Sequence, residues 1–473
     1  MQPDSFHSFF QRATQGHSPY PYQEKLASQP IQSLLINIPT GAGKTAAAVL
    51  AWLWRRNVDA AKTPRRLIYC LPMRVLVEQT RDKACEWVRN LKSAIWPNLD
   101  VQVYTLMGGE IQEDWELFPE KPAILVGTQD MLLSRALNRG YAMSRYKWPV
   151  HFGLLNSDCL WVCDEVQLMG SGLGTTTQLE ALREQFGVLG RAATWWMSAT
   201  LDRSWLETVD FKRKAADLPF FSLEEADFAD PTLARVIQAP KKLARAPATC
   251  RTPEGLASFV RENHTSAAQT LVVVNRVLRA QETFSALNRL YRPGGVGKST
   301  KTESAPEGGD GIPEIRLLHS RFRPYERRDW QAMLGEAPKR AGRIIVATQV
   351  IEAGVDVTSS LLVTDLAPYS SVVQRLGRCN RAGESEGASV FWVDRPLTGK
   401  QAKLASVETL SEKEQTEVAL PYEWRALDSA ANLLSGLNSA KCADLPPLDE
   451  RGPASWVLRR RDLIDLFDTT SVP

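Results

Sequence analysis

At 473 residues the chain exceeds the ~250–300 residues at which one hydrophobic core stops growing, which excludes a single-domain reading. Hydrophobic residues make up 44% of it, and 57 Lys plus Arg against 54 Asp plus Glu leave a net charge of only +3, so any nucleic-acid contact has to come from locally placed cations rather than a global field. The seven cysteines show no paired CxxC spacing, which argues against zinc and for buried thiols; Met1 to His17 carry no cationic leader, and no run approaches the ~20 apolar residues of a membrane span, so a soluble, cytoplasmic protein is expected.

Short apolar runs alternate with longer helical stretches, as in a parallel sheet buried on both faces. The first series of predicted strands is Leu34 to Ile38, Arg66 to Leu71, Val101 to Leu106, Ala123 to Val126, Cys159 to Cys163 and Thr194 to Met197. The first of these runs into Pro39-Thr40-Gly41-Ala42-Gly43-Lys44-Thr45 and then an Ala-rich helix start. That is the strand and helix context a phosphate loop requires: the glycines let backbone amides approach a β-phosphate, Lys44 reaches the β and γ oxygens, and the Thr45 hydroxyl can ligate Mg²⁺. Gln23, in Tyr20-Pro21-Tyr22-Gln23, precedes this loop and offers an amide to an adenine edge. Asp164-Glu165 closes the Cys159 strand, where ligands of open α/β sheets collect; Asp164 is the candidate Mg²⁺ holder and Glu165 the candidate for orienting an attacking water. Ser198-Ala199-Thr200 ends the next strand, and with Gln167 its hydroxyls Ser198 and Thr200 are candidates for coupling phosphate state to movement.

After a Pro-, Ala- and Arg-rich connector, a second series follows: Thr270 to Val274, Glu314 to Leu318, Arg343 to Ala347, Ser360 to Thr364 and Ala388 to Val393. Two doubly wound α/β domains in tandem are expected, with 1–215 as the first, 216–253 as the connector, 254–396 as the second and 397–473 as a helical C-terminal extension. Arg292 to Pro313 is rich in Gly, Pro, Ser and charge and is expected to be a surface loop. Its Gly294 to Ser299 imitates a phosphate loop but lacks the strand before and the helix after. Gln374-Arg375-Leu376-Gly377-Arg378-Cys379-Asn380-Arg381 places Arg378 and Arg381 three apart, expected on one helix face with Val372, Val373 and Leu376 buried. Both are candidate fingers for charge developing on a phosphoryl group, with Gln374 beside them. The basic, amphipathic segment Ala454 to Phe467 is expected to pack on the rest of the chain, with docking of a nuclease domain or binding of a partner as the alternatives.

With these motifs in their order, residues 18 to 395 resemble superfamily 2 helicases. Leu317 to Phe322, Ala347 to Asp356, Gln374 to Arg381 and Asp164 to Met169 look like the CRISPR-associated helicase-nuclease family of type I systems, with Gln167 where that family more often has His. The resemblance implies two RecA-like domains and an ATP- and Mg²⁺-dependent 3′-to-5′ translocase on single-stranded DNA. It also implies a guide-RNA surveillance complex as recruiter and an HD nuclease as partner. The five histidines include no His-Asp pair, so that nuclease is expected in a separate domain or subunit, and the chain is expected to be monomeric. By the same resemblance Gly354 and Asp356 join the nucleotide site, and Pro72, Arg74, Thr128, Gln129, Arg276, Arg321 and Thr348 line the nucleic-acid path. An RNA helicase of another pathway and a nucleotide-gated clamp are the competing readings. A clamp has no use for the water-orienting Glu165.

Overall fold

A computed structural model describes residues 5–292, 311–397 and 411–446, apart from positions 95, 97–98, 109, 112–113, 141–142, 200–201, 323–325, 327–329, 331–332, 335 and 353–356. The look-alike loop Gly294 to Ser299, the segment Ala454 to Phe467, and Thr200, Gly354 and Asp356 lie outside the described residues. The chain forms two compact units, the first running to Ala234 and the second from Arg235 to Pro446.

The first unit is built on β1 (Leu34–Asn37), β2 (Arg66–Leu71), β3 (Gln102–Met107), β4 (Glu110–Ile111), β5 (Ala123–Thr128), β6 (Cys159–Asp164), β7 (Ala192–Ser198) and β8 (Phe220–Ser222). Their order in the sheet is β4-β3-β5-β2-β6-β7-β1-β8, parallel except for the β3–β4 hairpin. Every residue of β2, β5 and β6 is buried, the continuous apolar reading that helices on both faces demand. Register pairs Asn37 with Ser198 and Asp164 with Met197. The C-terminal ends of β1, β6 and β7 therefore finish side by side, at the edge where open α/β sheets gather ligands.

The second unit holds β9 (Lys242–Arg245), β10 (Gln269–Val273), β11 (Glu314–Leu318), β12 (Arg343–Ala347), β13 (Leu361–Asp365) and β14 (Ser389–Val393). The order is β11-β12-β10-β13-β14-β9, all parallel. Val272, Ile344, Val346 and Val363 form its apolar centre, and Phe259 meets Phe391 edge to face at 5.0 Å between ring centres.

The stretch 216–253 supplies an edge strand to each sheet, β8 beside β1 and β9 beside β14. The tail after Leu397 folds in part onto the second unit. Its helices Glu412–Ala419 and Trp424–Ser435 place Val418 and Trp424 against Leu397. Arg395 stacks over Trp424 at 4.9 Å and pairs with Asp428. All seven cysteines are free thiols, and no cluster of three or more His, Cys, Asp or Glu placed to hold a metal occurs among the described residues. No described helix is long and apolar enough to cross a membrane.

Candidate nucleotide-binding site

The turn after β1 needs a backbone that β-carbons resist. Gly41 and Gly43 have φ of 88° and 79°, and Gly43 precedes the helix Lys44–Val58 in a left-handed conformation. At Gly43 an added Cβ would also lie 2.9 Å from the Gln23 amide nitrogen. The first N–H groups of a helix have no partner within it, so the loop and helix start together offer donors and a positive dipole end to an anion.

The side chains around this loop form one connected set. Lys44, 7% exposed, reaches Glu165 at 3.4 Å. The Gln167 amide donates to Glu165 at 2.6 Å, and the Ser198 hydroxyl donates to Gln167 at 2.8 Å. Glu165 adopts φ of 53°, a left-handed backbone that costs a non-glycine residue about 1–3 kcal/mol and that the surrounding contacts must enforce. The end of β1 joins the same set, with the Ile38 N–H donating to the Ser198 carbonyl at 3.0 Å. The Asn37 amide, oriented to satisfy both neighbours, donates to the carbonyls of Ser198 and Ala199. Among the coupling candidates, then, Gln167 and Ser198 are brought together with Lys44 and Glu165.

Asp164 lies at the foot of this chain and is 5% exposed. It accepts from the Tyr69 hydroxyl at 2.8 Å and from the Glu165 N–H at 2.9 Å. Burial, reinforced by the Glu165 charge and opposed by Lys44, raises its carboxyl to about 6. Tyr69 is held far above its ordinary range by burial and by Asp164, and its hydroxyl also meets that of Thr45. Thr45, Tyr69 and Asp164 thus converge. The set fits a cation: it contains a carboxylate whose charge burial opposes, with hydroxyls around it and Lys44 engaged elsewhere.

On the other flank a cavity of about 630 Å³ opens beside Tyr20, Gln23 and Gly43, walled by Phe10, His17 and Trp87. The Gln23 amide nitrogen donates to the Gly43 carbonyl at 3.1 Å and approaches the Tyr22 hydroxyl at 3.4 Å. Its oxygen accepts from the Tyr20 N–H at 2.9 Å. Gln23 therefore holds the loop as well as lining the cavity.

In the second unit the reading of one helix face through Arg378 and Arg381 is corrected. The helix is Tyr369–Leu376, and Gly377 caps it. Arg378 and Arg381 sit in the turn that follows, where Asn380 has φ of 44° and donates through its N–H to the Ser359 carbonyl at 2.8 Å, while the Ser359 N–H donates to the Arg378 carbonyl at 2.9 Å. Val372, Val373 and Leu376 are buried as expected. Arg378 is 8% exposed and donates to the carbonyls of Ile351 at 3.1 Å and Glu352 at 2.7 Å. Arg375, which the motif's charge pattern did not single out, is fully buried. Its guanidinium donates to Glu352 (2.7 Å), Thr364 (2.9 Å), the Asp365 carbonyl (2.9 Å), Asn275 (3.0 Å) and Tyr422 (3.3 Å). Burial, the largest influence, would lower its pKa, but Glu352, Tyr422 and Asp365 together outweigh it and keep the guanidinium firmly charged. Gln374 is 2% exposed in the same helix.

The residues expected to touch nucleic acid stand at the C-terminal edges of both sheets. Arg74 is exposed at the start of the helix Arg74–Ala94, after β2. Thr128 ends β5 and is 7% exposed, and Gln129 opens the helix Gln129–Ala136. Arg321 is exposed after β11. Thr348, 2% exposed, follows β12 and donates through its N–H to Leu318 at 3.1 Å. Arg276 is only half-exposed, with Nε held by the Leu420 carbonyl at 2.9 Å.

Comparison with known proteins assigns a helicase family to each domain. The DEAD/DEAH box helicase model matches residues 20–209, and the model for the C-terminal part of the CRISPR-associated nuclease/helicase Cas3 matches residues 266–384. A CRISPR-associated endonuclease/helicase Cas3 from Thermus thermophilus is 28% identical over 74% of this chain and 42% of its own length. A putative Cas3 from Myxococcus xanthus is 26% identical over 81% of this chain and 46% of its own. The chain spans under half the length of these relatives. In fold, the crystal structure of T. fusca Cas3 matches with a TM-score of 0.62 at 16% identity, over 99% of this chain and 54% of that one. Mss116p bound to ssRNA and AMP-PNP matches at 0.54, with 15% identity, over 83% of this chain and 73% of that one. With two tandem RecA-like domains and Cas3 relatives aligned across both, the chain is similar to the helicase portion of the CRISPR-associated nuclease/helicase Cas3 proteins.

Proposed function

We propose that the chain is a nucleic-acid-dependent ATPase that moves 3′ to 5′ along single-stranded DNA in type I CRISPR interference. In this reading a guide-RNA surveillance complex recruits it, and its action delivers DNA to an HD nuclease domain or subunit. The observation that carries the proposal is the hydrogen-bonded chain from Lys44 through Glu165 and Gln167 to Ser198, set beside the buried Asp164.

Each residue then has a task. The Gly43 and Lys44 amides and the Lys44 ammonium hold the β- and γ-phosphate oxygens. Glu165 orients a water for in-line attack and takes its proton, while Gln167 fixes the carboxylate that does so. Asp164 and Thr45 would hold Mg²⁺, which when bound neutralises charge on the phosphate oxygens. Ser198, one hydrogen bond beyond Gln167, carries the state of that carboxylate to the end of β7. Gln374, Arg378 and Arg381, with Gly354 and Asp356, are assigned to the nucleotide by family resemblance. On the same basis Arg74, Thr128, Gln129, Arg276, Arg321 and Thr348 are assigned to the DNA strand.

Steady-state ATP hydrolysis without nucleic acid, with single-stranded DNA and with RNA tests the proposal. Stimulation by DNA that Lys44→Ala, Glu165→Gln and Arg378→Ala each abolish is the expected result. Stimulation by RNA alone would move the protein to RNA metabolism, and sustained turnover in Lys44→Ala would overturn the site.

A further inference from the structure

Tyr22 is 1% exposed and stands one residue before the glutamine that borders the cavity. Its ring packs between Tyr20, with centroids 6.3 Å apart, and Phe221, at 6.5 Å. Burial holds the hydroxyl well above its ordinary range, so it remains a donor. That hydroxyl donates to the Ala42 carbonyl of the phosphate loop. Its neighbour Gln23 donates to the next carbonyl, Gly43, at 3.1 Å, and approaches Tyr22 itself at 3.4 Å.

Two consecutive peptide planes of the loop are therefore held from one side. In a trans peptide the C=O of one residue and the N–H of the next lie in one plane and point in opposite directions. Holding the Ala42 carbonyl toward Tyr22 turns the Gly43 N–H away from it, and holding the Gly43 carbonyl toward Gln23 does the same for the Lys44 N–H. These are the two amides that the glycine-rich loop presents to a phosphate. Gly41 and Gly43 leave the loop free to rotate its peptides, and φ of 79° at Gly43 is only one of the conformations open to a glycine. An external constraint on the carbonyls is what selects it.

We propose that Tyr22 is a positioning residue for the β-phosphate: its hydroxyl fixes the Ala42–Gly43 peptide so that the Gly43 amide meets a nucleoside diphosphate or triphosphate already aligned. The inference rests on the nucleotide site proposed above and extends it to a residue that contacts neither base nor phosphate. It separates the two aromatic residues of the Tyr20-Pro21-Tyr22-Gln23 segment. Tyr20 lines the cavity, whereas Tyr22 acts through the loop.

Tyr22→Phe keeps the packed ring and removes one oxygen. Binding of ADP and of AMP is measured by competition against a fluorescent adenine nucleotide, alongside thermal unfolding and the hydrogen-exchange rate of residues 40–45. The expected result is ADP binding weakened about tenfold, the range for one lost hydrogen bond, with AMP binding unchanged, the unfolding temperature lowered no further than that one buried bond accounts for, and exchange faster at residues 40–45 alone. A merely structural residue would weaken both nucleotides together and lower the unfolding temperature, and that outcome overturns the proposal. Unchanged ADP affinity in Tyr22→Phe, with Lys44→Ala abolishing it, also overturns the Tyr22 role and leaves the site standing. Full ADP affinity in Lys44→Ala overturns the site and the Tyr22 role with it.

Discussion

Glu165 occupies a backbone conformation that its side chain does not favour, and its carboxylate is shared between Lys44 and Gln167. Replacing it with Gln keeps the shape and removes the proton acceptor, so kcat for ATP should fall about 10²–10⁴-fold while KM for ATP stays within about twofold; steady-state kinetics decides. Asp164 gives a pH-dependent counterpart. Its folded carboxyl at about 6 lies above its ordinary value of 3.8, so the folded state binds the extra proton. Its contribution is fully present below pH 3.8 and is lost as pH rises through about 6, an effect on the order of 2–3 kcal/mol for a fully buried group. Asp164→Asn should therefore unfold at higher urea than the wild type at pH 8 in Mg²⁺-free buffer, and the gain should shrink toward pH 5. Lys44, Asp164 and Glu165 were legible in the sequence because each belongs to a short motif at a strand end. Tyr69 was not: inside the apolar run Arg66 to Leu71 it reads as core, and only the register of β2 beside β6, pairing Tyr69 with Val162, brings its hydroxyl to Asp164. Tyr22 was hidden for a similar reason, since a buried aromatic ring gives no hint of where its hydroxyl points.

At the scale of elements, eleven strands stood out as apolar runs because burial on both faces leaves few polar interruptions. β4, β8 and β9 did not. They have two, three and four residues and lie at sheet edges, where a single buried side chain is the whole pattern: Phe221 in β8 and Leu243 in β9. The arginine motif failed differently. Spacing alone predicted a helix through Arg378, yet Gly377 stands where a helix ends. Arg375 rather than Arg378 is the residue that organises this element, because it joins Glu352 to Asn275, Thr364 and Tyr422 in a fully buried network. Arg375→Ala leaves Glu352, 3% exposed, as an uncompensated buried charge, a loss of about 3–5 kcal/mol. Arg378→Ala removes bonds to two carbonyls and should cost about 1–3 kcal/mol. Urea unfolding of the two variants should preserve that order; an Arg378→Ala loss equal to or above that of Arg375→Ala would show the network to be misread.

For the whole molecule, the proposed nucleotide contacts of the phosphate loop belong to the unit ending at Ala234. Calorimetry should resolve two transitions, and ADP at 100 times its Kd should raise the stability of that unit by about 2.7 kcal/mol while leaving the other close to its starting point. Equal shifts in both would mean that the units unfold as one. The tail helices bear on where the second unit ends. Tyr422 touches both Arg375 (3.3 Å) and Gln349 (3.5 Å), and the Leu420 carbonyl holds Arg276, so residues beyond the last strand complete two of its motifs. A version of the protein cut after Leu397 would keep every strand of the second sheet. It would nonetheless lose the hydroxyl against which the motif arginine rests and strip Val418 and Trp424 from Leu397. Excision of this domain for separate study has to follow the chain at least through Ser435: its sheet ends earlier than its working parts do.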